Sequence, residues 1–335
     1  MTKIERILFN LPIVLFVKNK SKKIILPGFE GVPLYDVIAF FWSEIKKEGL
    51  NERAAAIAYN FIMAIPPTCL FLFTLIPNLP FVPTNTIKKQ LHTLITDIIP
   101  ADTHNKNLIL FVDSFFKEGK IGLLSFGFLL LIYFASNGMM GLMRSFNKTS
   151  IGFSKRTGLE SRWMAIKLTI IIMGLLLACI TLLIMQGTVI SWLGLKNNFL
   201  VQFFSTFRWL FMLGLIFFTF AFIYKYAPSV TKRWKLISPG SIVGALMSIA
   251  ATVGFSIFVN NFGRYNALYG SIGTVIVLMI LIFINSLVLL IGYELNASIH
   301  SLKALAEERT LAENELKDNA PDLSNHPSGK ITIQK

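Results

Sequence analysis

The sequence predicts an all-α integral membrane protein with six transmembrane helices and flanking interfacial amphipathic helices. Three observations carry that expectation. First, 54% of the 335 residues are hydrophobic and only 15% are charged, against about 25% charged in soluble domains. Second, apolar runs fall at about 54–76, 121–143, 168–190, 204–226, 240–262 and 271–293. Each approaches the roughly 20 residues that carry a helix across a hydrocarbon core of about 30 Å. A helix satisfies its own backbone there, so each run is read as a membrane-crossing helix. Third, basic residues alternate in density from one connection to the next.

The N-terminal segment, residues 1–34, is basic, and its apolar patch is broken by Asn10 and Pro12. It lacks a small-x-small cleavage pattern, so it is read as a cytoplasmic segment rather than a cleaved leader. The following YDVIAFFWSEIKK spaces Val37, Ile38, Phe41, Trp42 and Ile45 as one apolar helical face, suited to the inner interface. A helix packed on the loops is the alternative. The six-helix unit, 35–300, includes this helix, and a cytoplasmic tail, 301–335, follows. That tail begins helical (ALAEERTLAENELK) and ends in PDLSNHPSGKITIQK, which has too little apolar surface to fold.

The first run, RAAAIAYNFIMAIPPTCLFLF, contains Asn60 and a Pro66-Pro67 pair that should kink or break the helix. The connection at 77–120 carries apolar stripes at 87–98 and 108–115, predicting two short helices on the outer side. In the second run, Gly127, Gly138 and Gly141 allow close helix packing, and Asn137 adds a buried amide. The fourth run places Arg208 near the outer interface, where it can snorkel or contact a substrate. In the last run Asn285, Gly292 and Asn296 share one helical face, a polar seam aimed at other helices.

Residues 1–53, 144–164, 227–240 and the chain after 296 hold 22 of the 32 Lys and Arg. The opposite connections hold seven, and positive charge favours the cytoplasmic side, which puts both termini inside. The net charge of +14 then forms a collar facing anionic lipid at the inner surface. Spread over four segments without a binding fold, it does not indicate nucleic acid. Glu294 falls at the inner edge of the last span, level with Arg53, Arg144, Lys167 and Lys225. An interhelical ion pair is one fate for its carboxylate; handling a proton or substrate is the other.

Cys69 and Cys179 sit within apolar runs and form no metal or disulfide pattern, and no cofactor motif occurs. His92, His104, His300 and His326 are scattered along the chain, so no acid–base or metal constellation for hydrolysis is visible.

The segments RAAAIAYNFIMAIPP, GLMRSFNKTS, YAPSVTKRWKLISPGSIVGAL and YNALYGSIGTVIVLMILIFINSLVLLIGYELNA resemble the YihY/BrkB family of bacterial inner-membrane proteins, from about residue 35 to 300. The closing YGSIG…GYELNA is the most specific part. This resemblance implies six membrane helices and a bacterial inner-membrane location. It also brings two older labels, a virulence or serum-resistance factor and a ribonuclease BN. Transport of lipid or envelope precursors has been suggested for relatives. The double proline, and Gly-Tyr-Glu in place of the more usual Gly-Ala-Glu, depart from the family pattern.

Three functions follow as expectations. A permease for a lipid or amphipathic substrate would use a water-accessible path through Asn60, Asn137 and Asn285. A scaffold for envelope machinery would use the same amides only to lock helices. A ribonuclease is the weakest, because its residues are missing. Oligomerisation is left open.

Overall fold

The computed structural model describes residues 20–47, 49–75, 88–89, 92, 109–110, 113, 121–147, 152–192, 198–261 and 271–318; side chains at 73, 121–124, 180–192, 198–209, 260–261, 271–272, 274 and 316–318 lie outside that description. Seven helices are described: α1 (Leu34–Lys47), α2 (Leu50–Leu75), α3 (Ile121–Ser145), α4 (Gly158–Trp192), α5 (Asn198–Tyr226), α6 (Pro239–Asn261) and α7 (Ser271–Asp318). Five of them contain stretches long and apolar enough to cross a membrane. In α5 the described apolar stretch, Leu210–Tyr226, is shorter. Among the described residues the fold is all-α, apart from one isolated bridge between Phe153 and Val230.

Local chemistry sets several boundaries. At the start of α4, the Thr157 hydroxyl accepts from the Glu160 amide at 3.3 Å, and the Thr157 amide donates to Glu160 at 3.2 Å. This capping box starts the helix ten residues before the apolar run expected at 168. Ser238 caps α6, accepting from the Ser241 amide at 3.3 Å, and Pro239 fills the first helical position, where a missing N–H costs nothing.

Pro66 and Pro67 do not break α2, which runs unbroken from Leu50 to Leu75. Prolines are tolerated inside membrane helices where neighbours and local hydroxyls satisfy freed backbone groups. The last helix is also longer than the apolar run. At 1.5 Å per residue its 48 residues span about 72 Å, so it extends well past a hydrocarbon core. The expected tail is therefore helical and continuous with α7 through Asp318.

Neighbours follow chain order: α2 packs on α3, α3 on α4, α4 on α5, α5 on α6 and α6 on α7. Because α7 also packs on α2, the six long helices close into a ring. α1 lies outside it, against α7. Glycines make two seams close: Gly127 meets the Phe71 backbone and Gly138 the Asn60 carbonyl across α2–α3. A methyl on Gly240 would collide with the Gly292 carbonyl across α6–α7.

The core sits at one end. Ala54 and Ile57 of α2, Leu142 and Phe146 of and just after α3, Leu168 of α4, Tyr224 of α5 and Leu290 and Tyr293 of α7 form one buried cluster. Farther along, Phe126, Leu129, Val253, Ile257, Val275 and Leu278 are exposed. The buried end is the one carrying the 146–157 and 227–238 connections, which are pinned together by the Ser154 amide on the Ser229 carbonyl at 2.9 Å and the Thr231 amide on the Gly152 carbonyl at 3.1 Å.

α1 divides its apolar face. Val37 is buried with Phe29 and Ile299 of α7, while Ile38 and Trp42 are exposed. Of the 77–120 connection, Lys88 and His92 both reach Asp113, at 3.1 and 2.7 Å. Most of the two stripes expected there lies outside the described residues.

Candidate functional site

The polar groups inside the bundle gather where α7 leaves the core. Its seam and its carboxylate point to different helices, as a spacing of i, i+7 and i+11 against Glu294 requires. Glu294 is fully buried, and Arg53 of α2 donates to its Oε1 at 2.9 Å. The same guanidinium donates to the Ser145 carbonyl at the end of α3. One arginine thus ties α2, α3 and α7 at the buried end of the bundle. Lys167 lies over the Trp163 ring and Lys225 over the Tyr226 ring. Arg144, at the end of α3, lines a separate pocket.

Aromatic rings seal the region around the pair. Tyr293 stacks on Phe146 with centroids 4.0 Å apart, and its hydroxyl donates to the Phe146 carbonyl. Trp234 packs against Tyr293 and His300. The Tyr224 hydroxyl donates to the Leu289 carbonyl at 2.8 Å, beside Gly292 and Gly244. A charge pair enclosed this way interacts strongly because little water screens it.

The seam of α7 faces α6. Asn296 accepts from the Gly240 amide at 2.8 Å and donates to Ser238 Oγ at 2.8 Å. Asn285 accepts from Ser248 Oγ at 2.5 Å and donates to the Leu281 carbonyl at 3.0 Å. Both amides therefore serve one interface.

The other two amides go elsewhere. Asn60 donates to the Ala56 carbonyl at 2.7 Å and lies against Gly141 on α3. Asn137 accepts from Arg162 of α4, whose guanidinium also covers the Tyr133 ring. Asn60, Asn137 and Asn285 thus sit at three helix contacts, and the structure does not bring them together. Pro66 is exposed on α2. The side chain of Arg208 lies outside the described residues.

Several contributors were not anticipated. Arg162 precedes the apolar run of α4, which begins only at 168, and the TGLE capping box is the sequence signal that puts it inside the helix. Arg156 donates to the carbonyls of Tyr226, Ala227 and Pro228 at 3.2, 3.1 and 2.9 Å, bridging two loops. Nothing local in the sequence marks that contact. Ser238-Pro239 is a local signal for the start of α6, but nothing beside it marks Asn296 as a second cap.

Chemically, the site offers a buried ion pair, amides and tyrosine hydroxyls. Among the described residues no group of three or more His, Cys, Asp and Glu is placed to hold a metal ion.

A family model described as virulence factor BrkB matches residues 41–317. The putative ribonuclease-like protein YfkH of Bacillus subtilis (strain 168) is 28% identical over 265 residues, 77% of this chain and 93% of the relative. A UPF0761 membrane protein of Haemophilus influenzae (strain 86-028NP), NTHI0384, is 25% identical over 277 residues, 80% of this chain and 96% of the relative. A UPF0761 membrane protein of Tolumonas auensis is 24% identical over 273 residues, covering 78% and 84%. No solved structure matches.

Proposed function

The chain belongs to the virulence factor BrkB family, and on that premise we propose a permease of the bacterial inner membrane that handles a lipid, envelope precursor or similar amphipathic molecule. In this reading the chain crosses the bilayer six times with both ends in the cytoplasm, and the exposed Ile38 and Trp42 of α1 rest in the inner interface. The observation that carries it is the closed ring of six helices, sealed at its inner end by the Arg53–Glu294 pair and the stacked rings around it. A ring sealed at one end has the form of one state of an alternating carrier.

One observation favours the scaffold instead. Asn60, Asn137 and Asn285 each already have a protein partner, which is how amides lock helices rather than line a path. Cysteines placed singly at 60, 137 and 285, probed with a membrane-impermeant thiol reagent in native membranes, separate the two. Labelling from one side supports the permease; protection of all three from both sides supports the scaffold.

The name of the Bacillus relative raises a third reading, a ribonuclease. Phosphodiester hydrolysis asks for a positioned acid and base or a metal, and the polar groups where α7 leaves the core are amides, tyrosine hydroxyls and one committed ion pair. We propose that the chain is not a nuclease; hydrolysis of labelled RNA by the purified protein, lost on Glu294→Gln, would overturn this.

A further inference from the structure

A pocket of about 240 Å³ opens between the inner end of α3 and the start of α4, separate from the Arg53–Glu294 site. Its walls include Met140, Met143, Arg144, Arg156, Gly158 and Ser161, two cations with no carboxylate among the lining residues. The Arg144 side chain makes no hydrogen bond or ion pair among the described residues, although it is one of the four cations level with Glu294. Arg156 is fixed by three carbonyls at the end of α5 and just beyond. A guanidinium has five N–H donors, so two remain. Burial, then the charge of Arg233, pushes this guanidinium below its ordinary value, against a smaller opposing pull from Glu160. The nearest acid, Glu160, is turned back onto the Thr157 amide by the capping box.

We infer that this pocket binds a phosphate group at the inner membrane surface. Paired guanidinium groups match the oxygens of a phosphate, in charge and in bidentate geometry. Ser161 adds a hydroxyl, and Gly158 opens α4 at the positive end of the helix dipole. Met140 and Met143 supply an apolar floor of adaptable shape, suited to the glycerol end of a lipid. The level agrees: five residues further along α4, exposed Trp163 carries Lys167 over its ring, as aromatic residues do at headgroup depth. The phosphate can belong to an anionic phospholipid or be free in the cytoplasm. The inference goes beyond permeation and does not rest on it, because a scaffold could hold the same group.

The test uses the full chain in neutral detergent, with native mass spectrometry to count adducts and thermal unfolding to check folding. The probes are dioctanoyl phosphatidylglycerol, dioctanoylglycerol, which lacks the phosphate, and inorganic phosphate. Saturable binding of phosphatidylglycerol but not of dioctanoylglycerol is expected. Arg144→Gln should weaken it at least about tenfold, the size of one charge-assisted hydrogen bond. Gly158→Asp is the second variant: a side chain there meets nothing within 4 Å, and an acid in a first helical turn favours the helix. It should keep the melting temperature and lose the binding. Competition by inorganic phosphate identifies the free ion as the ligand, and its absence identifies the lipid; both keep the phosphate chemistry. Equal binding of the two dioctanoyl compounds overturns the inference. So does weakening by Lys235→Gln as large as by Arg144→Gln, which would reduce the pocket to part of a diffuse basic collar.

Discussion

At the scale of single residues, Glu294 and Arg53 are the most consequential pair. Glu294 is fully buried, and its partner is 18% exposed. Removing one member of a buried pair leaves the other charge without its counterion, a loss of about 3 kcal/mol or more. Glu294→Gln should therefore lower the melting temperature in detergent markedly. Arg53→Met combined with Glu294→Leu should recover part of that loss, since the desolvation cost of both charges disappears. A double variant no better than the worse single one would refute the account. The exposed end of α7 behaves differently. Lys303 donates to Glu30 at 2.8 Å, and this bond holds the Glu30 carboxyl below its ordinary range and the Lys303 ammonium above its own. A lowered carboxyl stabilises above the unfolded value and stops doing so as pH falls through the folded one; a raised ammonium stabilises until pH climbs through its folded value. The clasp of the segment leading into α1 onto α7 should thus be constant between about pH 5 and pH 9 and loosen outside that window. Hydrogen exchange over 34–47 measures this, and Lys303→Gln should cost no more than about 1 kcal/mol at neutral pH, because both groups are partly solvated.

At the scale of elements, the seam between α6 and α7 depends on having no side chain. A methyl on Gly292 would meet the Tyr224 hydroxyl and, at 2.8 Å, the Gly240 carbonyl, the latter a backbone atom that yields little. Gly292→Ala should cost about 1–3 kcal/mol, the range for forcing atoms into a packed interface. Gly254→Ala, in the same α6 but with open space around its added methyl, should be neutral or gain up to about 1 kcal/mol from helix propensity. Melting curves of the two variants in one detergent decide it, and equal losses would show that packing is not the cause. Helices α2 to α7 lie at the six apolar runs; α4 begins well before its run, and α7 continues past its own through the tail expected to begin helical. α4 began early because Thr157 and Glu160 cap it, and α7 ran on because residues 301–318 carry strong helix formers such as Ala, Leu and Glu. The double proline does not break α2, since its local penalty in water is partly absorbed inside a bundle.

At the scale of the whole molecule, the six-span reading predicts that reporters fused to the start and end of the chain emerge together in the cytoplasm, and opposite sides would sink it. What the sequence determined was the class of fold and the orientation expected of it. Both depend on properties summed along the chain: the length of an apolar run, and the balance of Lys and Arg on either side of it. It also set Glu294 and the Asn285–Asn296 seam on different faces of one helix, because a helix fixes angles between its own residues. Only the tertiary structure decided what those faces meet. Arg53 reaches Glu294 across 241 residues, Arg144 turns to a pocket instead, and Asn60, Asn137 and Asn285 part to separate contacts. Which cation pairs with which acid depends on the rotation and neighbour of every helix, and these are set by packing between segments whose separation in sequence carries no such information.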